Sequence, residues 1–273
     1  MRQLCAVVLI AFIAVFPVAI SGQQTQSATT ATAAVVRDAQ ALGLLQQALS
    51  SAGATAAVRV QDFTETGTIT YFWAGQDVSG SVTLRGLGMN DFRLDATLAS
   101  ENPNLSWAVS NGQGSVKQAN GNTTTIPSCN ATNAGVLTLP HLGILAAIND
   151  TTVSVSLAAQ VTLNAVSAYD IRVQKTFTQK ADPTGQLSKC NSKDYLIDPA
   201  TFALIETRDT VYPNDGAVGV GVAHEVIFAD YQLTNGVAVP FSVTEKLGGQ
   251  ETWAIQVSAV NFNTGLTEAI FQF

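Results

Sequence analysis

Apolar and polar residues alternate through most of this chain, and that spacing is typical of β-strands with one buried face. Phe92, Leu94, Ala96 and Leu98 alternate with polar residues, and from 153 to 163 every second residue is apolar. The short turns between such segments predict an antiparallel meander that has one apolar face and one solvated face.

Turn signals divide the alternating segments into many short strands. Asn235-Gly236, between two such segments, is the strongest hairpin signal. Further turns are predicted at 65–67, 79–80, 198–199, 214–216 and 248–249, and a long Asn/Thr-rich excursion at 110–135. The remaining strands are predicted at 58–60, 69–73, 82–84, 105–109, 169–173, 195–197, 202–207, 222–229, 237–246, 252–260 and 266–272.

Two segments have the spacing of helices instead. Between 36 and 52, Leu42, Leu45 and Leu49 recur at helical spacing, and Gly53 supplies a C-terminal stop. We expect these leucines to pack against the sheet.

The second helix, predicted at 139–148, opens with Leu139-Pro140 and is apolar on all sides. A helix without a polar face is buried. The sequence therefore predicts an α+β, mainly β fold, in which a single domain, 35–273, combines a large antiparallel sheet with two helices.

The first 22 residues have the order of a secretory signal peptide. Arg2 precedes an apolar stretch from Leu4 to Ile20, and small residues close it at Ser21 and Gly22. This stretch is too short and one-sided for a stable membrane span. We expect cleavage of 1–22, a flexible leader at 23–34, and a protein that is periplasmic or secreted.

Composition excludes several classes of function. The chain has 12% charged residues, a net charge of −7 and no cluster of Lys and Arg, which disfavours nucleic acid and anionic membrane surfaces as partners. Its apolar fraction of 47% is ample for a core.

Beyond the signal the chain keeps two cysteines, Cys129 and Cys190. In an oxidising compartment an even pair predicts a disulfide, which would restrict the unfolded chain by about 4 kcal/mol. Two buried free thiols are the alternative. A metal site is less favoured, because neither cysteine has a second Cys or a His at ligand spacing.

The histidines offer little chemistry. His141 and His224 lack the spacing of a zinc site, and no Gly-x-Ser-x-Gly motif marks a nucleophile. A triad of a serine, His141 and an acid such as Asp150 stays open from sequence. We interpret both histidines as structural and predict no enzyme, no metal and no cofactor.

Two acidic pairs, Asp62 with Glu65 and Asp91 with Asp95, have the composition of a glycosidase site. In a strand, Asp91 and Asp95 share a face with Arg93 between them, which neutralises part of their repulsion. We interpret the pairs as solvated strand faces.

Three segments carry a family pattern. They are the opening helix with its meander, from Leu44 through Asp62-Phe63 and Gly67-Thr68-Ile69 to Phe92-Arg93-Leu94-Asp95; the strand and turn Tyr195-Leu196-Ile197-Asp198-Pro199-Ala200-Thr201; and Asp230-Tyr231, Asn235-Gly236-Val237 and Pro240-Phe241, leading to Trp253, Asn261-Phe262-Asn263 and Phe271. These segments resemble the LolA/LolB-like superfamily of periplasmic lipoprotein carriers. The resemblance implies an incomplete, strongly curved β-barrel, closed by an N-terminal helix and a buried central helix, that binds acyl chains or other apolar groups.

The candidate ligand-binding residues are apolar residues of the sheet and of the central helix. They are Tyr71, Trp73, Phe92, Leu94, Trp107, Leu139, Leu142, Gly143, Leu145 and Ala146. Gly143 and Ala146 make one flank of the helix thin, which would leave room for a ligand.

Two functions follow as hypotheses. The first is a non-enzymatic envelope protein that holds a lipid or another apolar small molecule in a half-barrel cavity. The alternative is a protein-protein interaction or sensor module with a filled core, whose partner is an envelope protein. An empty interior would favour the first function and a filled interior the second.

Overall fold

In the part of the chain that the computed structural model describes, thirteen strands join into one antiparallel sheet. The described residues are 35–73, 75–99, 104–135, 137–163, 166–178, 180–183, 185–215 and 220–273. The predicted signal peptide and leader lie outside them, as does Gly216 of one predicted turn.

The strands are β1 (Asp62–Trp73), β2 (Gln76–Leu87), β3 (Asp91–Leu98), β4 (Asn104–Ser110), β5 (Gln113–Gln118), β6 (Thr123–Ile126), β7 (Val153–Leu163), β8 (Val166–Lys175), β9 (Ser192–Ile197), β10 (Leu204–Val211), β11 (Val222–Thr234), β12 (Val237–Leu247) and β13 (Gln250–Phe262). The helices are α1 (Ala39–Ser51), α2 (Ala54–Ala57), α3 (Ser128–Ala134), α4 (Pro140–Asn149) and α5 (Gln186–Cys190), followed by a 3₁₀ helix (Glu268–Phe271).

The strand order places the first and last strands of the chain side by side. It runs β6-β5-β4-β3-β2-β1-β13-β12-β11-β10-β9-β8-β7, so β1 pairs with β13 and the edges are β6 and β7. Within the described residues these two edges do not pair with each other, and the sheet is an incomplete barrel. Buried side chains of α1 and α4 join those of the sheet in one core, which confirms the predicted α+β, mainly β fold.

Helix α1 ends just before Gly53, as its sequence signal predicts, but it begins at Ala39 and not at the predicted 36. The Asp38 side chain caps the N-terminus by accepting a hydrogen bond from the Ala41 amide, and Gly53 follows the helix with a φ of +84°. Leu45 and Leu49 are buried as expected. Leu42 is only partly buried, and Leu44 is buried in its stead.

Two short strand and turn predictions near the start of the sheet are wrong. The predicted strand at 58–60 is preceded by the helical turn α2 and does not form. The predicted turn at 65–67 is instead a bulge within β1, between Thr66 and Gly67. A Cβ at Gly67 would lie 2.2 Å from the Gln256 carbonyl oxygen, so the glycine permits close approach of β13 and not a chain reversal.

The glycine at the predicted 79–80 turn has the same role. Strand β2 runs straight through Gly80, where a Cβ would lie 2.0 Å from the Thr97 carbonyl oxygen of β3. The chain reverses earlier, between β1 and β2.

The segment 110–135 is not a loop. It contributes β5 and β6, which extend the sheet, and α3, which carries Cys129. Cys129 is disulfide-bonded to Cys190 of α5, with a Cα–Cα distance of 5.6 Å, so the predicted pairing is confirmed.

The strand predicted at 266–272 is also wrong, because a 3₁₀ helix lies there. The Asp62 carboxylate holds the preceding segment by accepting hydrogen bonds from the Thr264 amide at 2.6 Å and the Gly265 amide at 2.9 Å. These backbone amides are thereby unavailable for pairing with a strand.

Candidate functional site

Most of the predicted ligand-binding residues are part of the hydrophobic core or pack against it. Phe92, Leu94, Leu139 and Leu142 are buried, and Tyr71, Trp107 and Leu145 pack against the same cluster. The Phe92 and Trp107 rings lie 5.0 Å apart, while Gly143 and Ala146 are half-buried and the Trp73 side chain is outside the description. These residues therefore belong to the hydrophobic core that the helices share with the sheet.

The thin flank of α4 faces a tyrosine. A Cβ at Gly143 would lie 2.6 Å from the hydroxyl oxygen of Tyr195, a buried residue of β9. The space beside Gly143 is thus taken by the phenol ring. Sequence spacing could not reveal this contact, because Gly143 and Tyr195 are far apart in the chain.

A cavity of about 190 Å³ lies elsewhere, at the meeting of α1, α4, the β9–β10 turn and the β11–β12 hairpin. It opens partly to solvent, and most of its surface is apolar. Its lining residues are Ala48, Ser51, Ala52, Pro140, His141, Ile144, Thr201, Ala203, Leu204, Tyr231 and Ala238. None of the described residues predicted to bind a ligand is among them.

The turn at one side of the cavity is built by the Asp-x-x-Thr sequence at 198–201. The Asp198 carboxylate accepts hydrogen bonds from the Thr201 hydroxyl at 2.7 Å and the Ala200 amide at 2.9 Å. These bonds hold the pKa of Asp198 below its ordinary value. The turn thereby fixes Thr201 and Ala203 in the cavity wall.

His141 is the unusual member of the lining. It is 3% exposed, and its Nε2 atom has no hydrogen-bond partner. Burial lowers the pKa of His141 to about 4, so the imidazole is neutral at pH 7. The triad that stayed open from sequence does not form with Asp150, because Asp150 lies at the opposite end of α4 and accepts hydrogen bonds from Thr152.

A buried carboxyl group lies close to the start of α4. Glu65 of β1 is fully buried, and neither of its oxygens has a partner with hydrogen-bond geometry. Burial raises the pKa of Glu65 to about 7, and the nearby Thr138 hydroxyl opposes that shift without cancelling it. The interpretation of Asp62 and Glu65 as a solvated pair is therefore wrong: both are buried.

The two residues of the other acidic pair, Asp91 and Asp95, have separate partners. Asp95 accepts from Arg93 Nε at 2.8 Å and Arg85 Nη1 at 2.6 Å, and these cations hold its pKa below the ordinary value despite burial. Asp91 is buried and accepts from the Asn111 amide. Neither pair has the arrangement of two free carboxyl groups facing a shared space.

His224 belongs to a chain of ionised groups. Its Nδ1 lies 2.6 Å from Asp209 Oδ1 and its Nε2 lies 3.1 Å from Glu245 Oε1, while Lys193 Nζ lies 3.3 Å from Asp209 Oδ2. Burial acts against the charged form, but the two carboxylates outweigh it and raise the pKa of His224 to about 9. A protonated imidazole has no free lone pair, so His224 is unsuited to act as a general base at pH 7.

Among the described residues, no cluster of His, Cys, Asp and Glu has the arrangement of a metal site. None of the helices found there is both long enough and apolar enough to cross a membrane.

Comparison with known proteins identifies the fold. No family model and no curated protein matches the sequence. The structure is similar to an outer membrane lipoprotein-sorting protein domain from Vibrio parahaemolyticus, with 13% sequence identity and a TM-score of 0.51 over 83% of this chain and 97% of that one. It is also similar to a LolA superfamily protein from Nitrosomonas europaea, with 9% sequence identity and a TM-score of 0.52 over 85% of this chain and 97% of that one. A DUF1329 family protein from Desulfovibrio piger is similar to the same degree, with 10% sequence identity and a TM-score of 0.52 over 85% of this chain and 96% of that one. The chain has a LolA-like fold, as the sequence resemblance predicts.

Proposed function

We propose that this protein is an exported, non-enzymatic binding protein of the cell envelope that holds an apolar group of a lipid or similar ligand. The observation that carries the proposal is the largely apolar cavity of about 190 Å³ between α1, α4 and the sheet. Apolar pockets with few polar groups are the usual sites for small ligands. The LolA-like fold and the signal-like sequence of 1–22 support an envelope location.

The size of the cavity limits which ligand groups fit inside it. An engineered cavity of about 150 Å³ binds benzene, whereas whole drug-sized ligands occupy about 300–1,000 Å³. The cavity therefore takes one ring or the end of an alkyl chain. A longer ligand needs α4 to move from the sheet, which would expose the predicted binding residues Leu139, Leu142 and Leu145.

Binding of an uncharged naphthalene dye with a dodecanoyl chain tests the proposal. We expect saturable binding with micromolar affinity, about −8 kcal/mol. The variant Ala203→Leu narrows the cavity and should weaken binding at least about 10-fold. The matched control Ala259→Leu changes an exposed residue of β13 and should not affect affinity.

The interaction module is the second candidate, because Phe92, Leu94 and their neighbours fill the core. Absence of saturable dye binding, or equal binding by both folded variants, would favour that module. Lipid extraction from natively purified protein, followed by mass spectrometry, would identify a bound ligand.

A further inference from the structure

We propose that the N-terminal end of α4 is a pH-dependent gate: loss of the Glu65 proton releases this end from the sheet, while Arg37 holds the C-terminal end in place. The gate itself is argued from the packing around Glu65 and does not depend on a ligand. Its role, to admit a longer apolar chain to the core beneath α4, rests on the proposed function.

Glu65 lies in an apolar row that crosses the inner face of the sheet. Its partners in register are Leu84 of β2 and Val260 of β13, and both are buried in the core. The Thr138 hydroxyl lies near the carboxyl group, in the segment that leads into α4, but it has no partner with hydrogen-bond geometry. A neutral carboxyl group can be buried in such surroundings, whereas a carboxylate without a cation is strongly unfavourable there.

Among the described residues, no charged side chain contributes to the pKa of Glu65. Helices α1 and α4 contain no Asp, Glu, Lys or Arg, and the pKa of His141 in α4 is lowered to about 4, so its ring is neutral above pH 5. On the opposite face of the sheet from Leu84, Arg85 bonds to Asp95, and Glu251 of β13 is exposed. Burial therefore dominates and raises the pKa of Glu65 to about 7.

The start of α4 is the part of these surroundings that yields most readily. Strand β1 pairs with β2 on one side and with β13 on the other, so the sheet holds Glu65 from both sides. Leu139, the N-cap residue of α4, makes no side-chain capping hydrogen bond. At the other end of the helix, Arg37 donates to the carbonyl oxygens of Ala147 and Ile148 at 2.8 and 2.7 Å. Ionised Glu65 therefore gains water at the lowest cost when the first turn of α4 moves away.

Labelling of an added cysteine tests the gate without a ligand. Leu142 and Ala147 are both buried and lie in the N-terminal and C-terminal halves of α4. Because Cys129 and Cys190 are joined, the added thiol is the one that reacts with 4,4′-dithiodipyridine. At pH 8 we expect Leu142→Cys to react at least about 10-fold faster than Ala147→Cys, since the gate exposes only the first position and global unfolding exposes both.

The variant Glu65→Gln removes the ionisation in the Leu142→Cys protein. Comparison at one pH cancels the dependence of thiol reactivity on pH. We expect the replacement to slow labelling at least about 10-fold at pH 8 and to have a much smaller effect at pH 5, where Glu65 keeps its proton in the closed state.

The variant Thr138→Val keeps the size of the side chain and removes the hydroxyl that lowers the pKa of Glu65. The midpoint of the pH dependence of labelling should therefore move to higher pH. A variant that merely loosened the packing of α4 would speed labelling at every pH without moving this midpoint.

Association of the dodecanoyl dye tests the role of the gate. Entry of the chain requires the open state, so the association rate follows the population of that state. For the wild-type protein we expect the rate to rise at least about 10-fold between pH 5 and pH 8, and for Glu65→Gln to change little.

The outcomes separate the gate from the proposed function. Equal labelling of the two cysteines, no effect of Glu65→Gln at pH 8, or an unchanged midpoint in Thr138→Val would overturn the gate, and dye binding would still stand. If the labelling results hold but the dye does not bind, the proposed function fails and the gate remains. If the dye binds at a rate that does not depend on pH, the gate does not serve ligand entry.

Discussion

Arg37 spans the C-terminal end of α4, where its Nη2 donates a hydrogen bond to the Ile148 carbonyl oxygen at 2.7 Å. Its Nη1 lies within hydrogen-bond distance of the carbonyl oxygens of Ala147, Asp150 and Val153. A cation at this end satisfies carbonyls that lack helical partners and interacts favourably with the helix dipole. Arg37 lies directly before Asp38, the N-cap of α1, and its backbone forms a parallel bridge with Val155 of β7. Its side chain also reaches the Val153 carbonyl oxygen, so this one residue connects both helices to the sheet edge.

The variant Arg37→Lys should therefore destabilise the protein. Lysine keeps the charge but cannot serve several divergent carbonyls with a planar fork of donors. We expect a loss of about 1–3 kcal/mol in the free energy of unfolding, measured by urea denaturation. Arg59→Lys, at an exposed position, is the control and should change little. Equal midpoints for the two variants would contradict a role of Arg37 in holding α4.

Leu45 and Leu42 of α1 give a matched pair for testing how the helix docks. Leu45 is fully buried, and its replacement by alanine should cost about 2–5 kcal/mol. Leu42 is only partly buried, so Leu42→Ala should cost clearly less. Chemical denaturation measures both. A Leu45→Ala loss below about 1 kcal/mol would mean that α1 is not docked on the core in solution.

The Cys129–Cys190 bond predicts a specific thiol count and a stability effect. Denatured, unreduced protein without its predicted signal should contain no thiol that reacts with a labelling reagent. The bond joins residues 61 apart, so Cys129→Ala with Cys190→Ala should lower stability by about 4 kcal/mol in the chain-entropy model. Two reactive thiols in each chain would refute the pairing.

Glu65 predicts a pH dependence of stability. Its carboxyl releases a proton near pH 4.5 in the unfolded chain but near pH 7 in the folded protein. Burial disfavours the charged form, so the free energy of unfolding should fall as the pH rises from about 4.5 to about 7, by up to about 3 kcal/mol from this group.

The variant Glu65→Gln removes that ionisation and should exceed the wild type in stability at pH 8, with little difference at pH 4. Denaturant midpoints at the two pH values measure this. Glu268→Gln changes an exposed glutamate and should follow the wild-type curve. If Glu65→Gln also follows it, Glu65 is solvated or paired in solution.

Local signals predicted much of the secondary structure. The alternation at 92–98 and 153–163 corresponds to β3 and β7, and the Asn235-Gly236 signal corresponds to the β11–β12 turn. Glycines were harder to interpret. Gly67 and Gly80 lie in segments whose composition is typical of turns, but both are within strands. Glycine is needed there because the backbone of a neighbouring strand approaches closely.

Segment 110–135 shows a second limit. Its Asn and Gly residues disfavour strands, but its Thr residues favour them, and Thr123–Ile126 forms β6 by pairing with β5 at the sheet edge. Composition describes the average conformational preference of the segment and does not identify the strand with which it pairs.

The sequence by itself determined the antiparallel sheet, α1, the buried α4 and the cysteine pair, because each depends on spacing within a short stretch or on the number of cysteines. Only the tertiary structure decided where space remains. Tyr195 takes the space beside Gly143, and the cavity instead adjoins His141 near Tyr231. Those contacts join residues distant in the chain, and packing of whole side chains determines which gaps are filled.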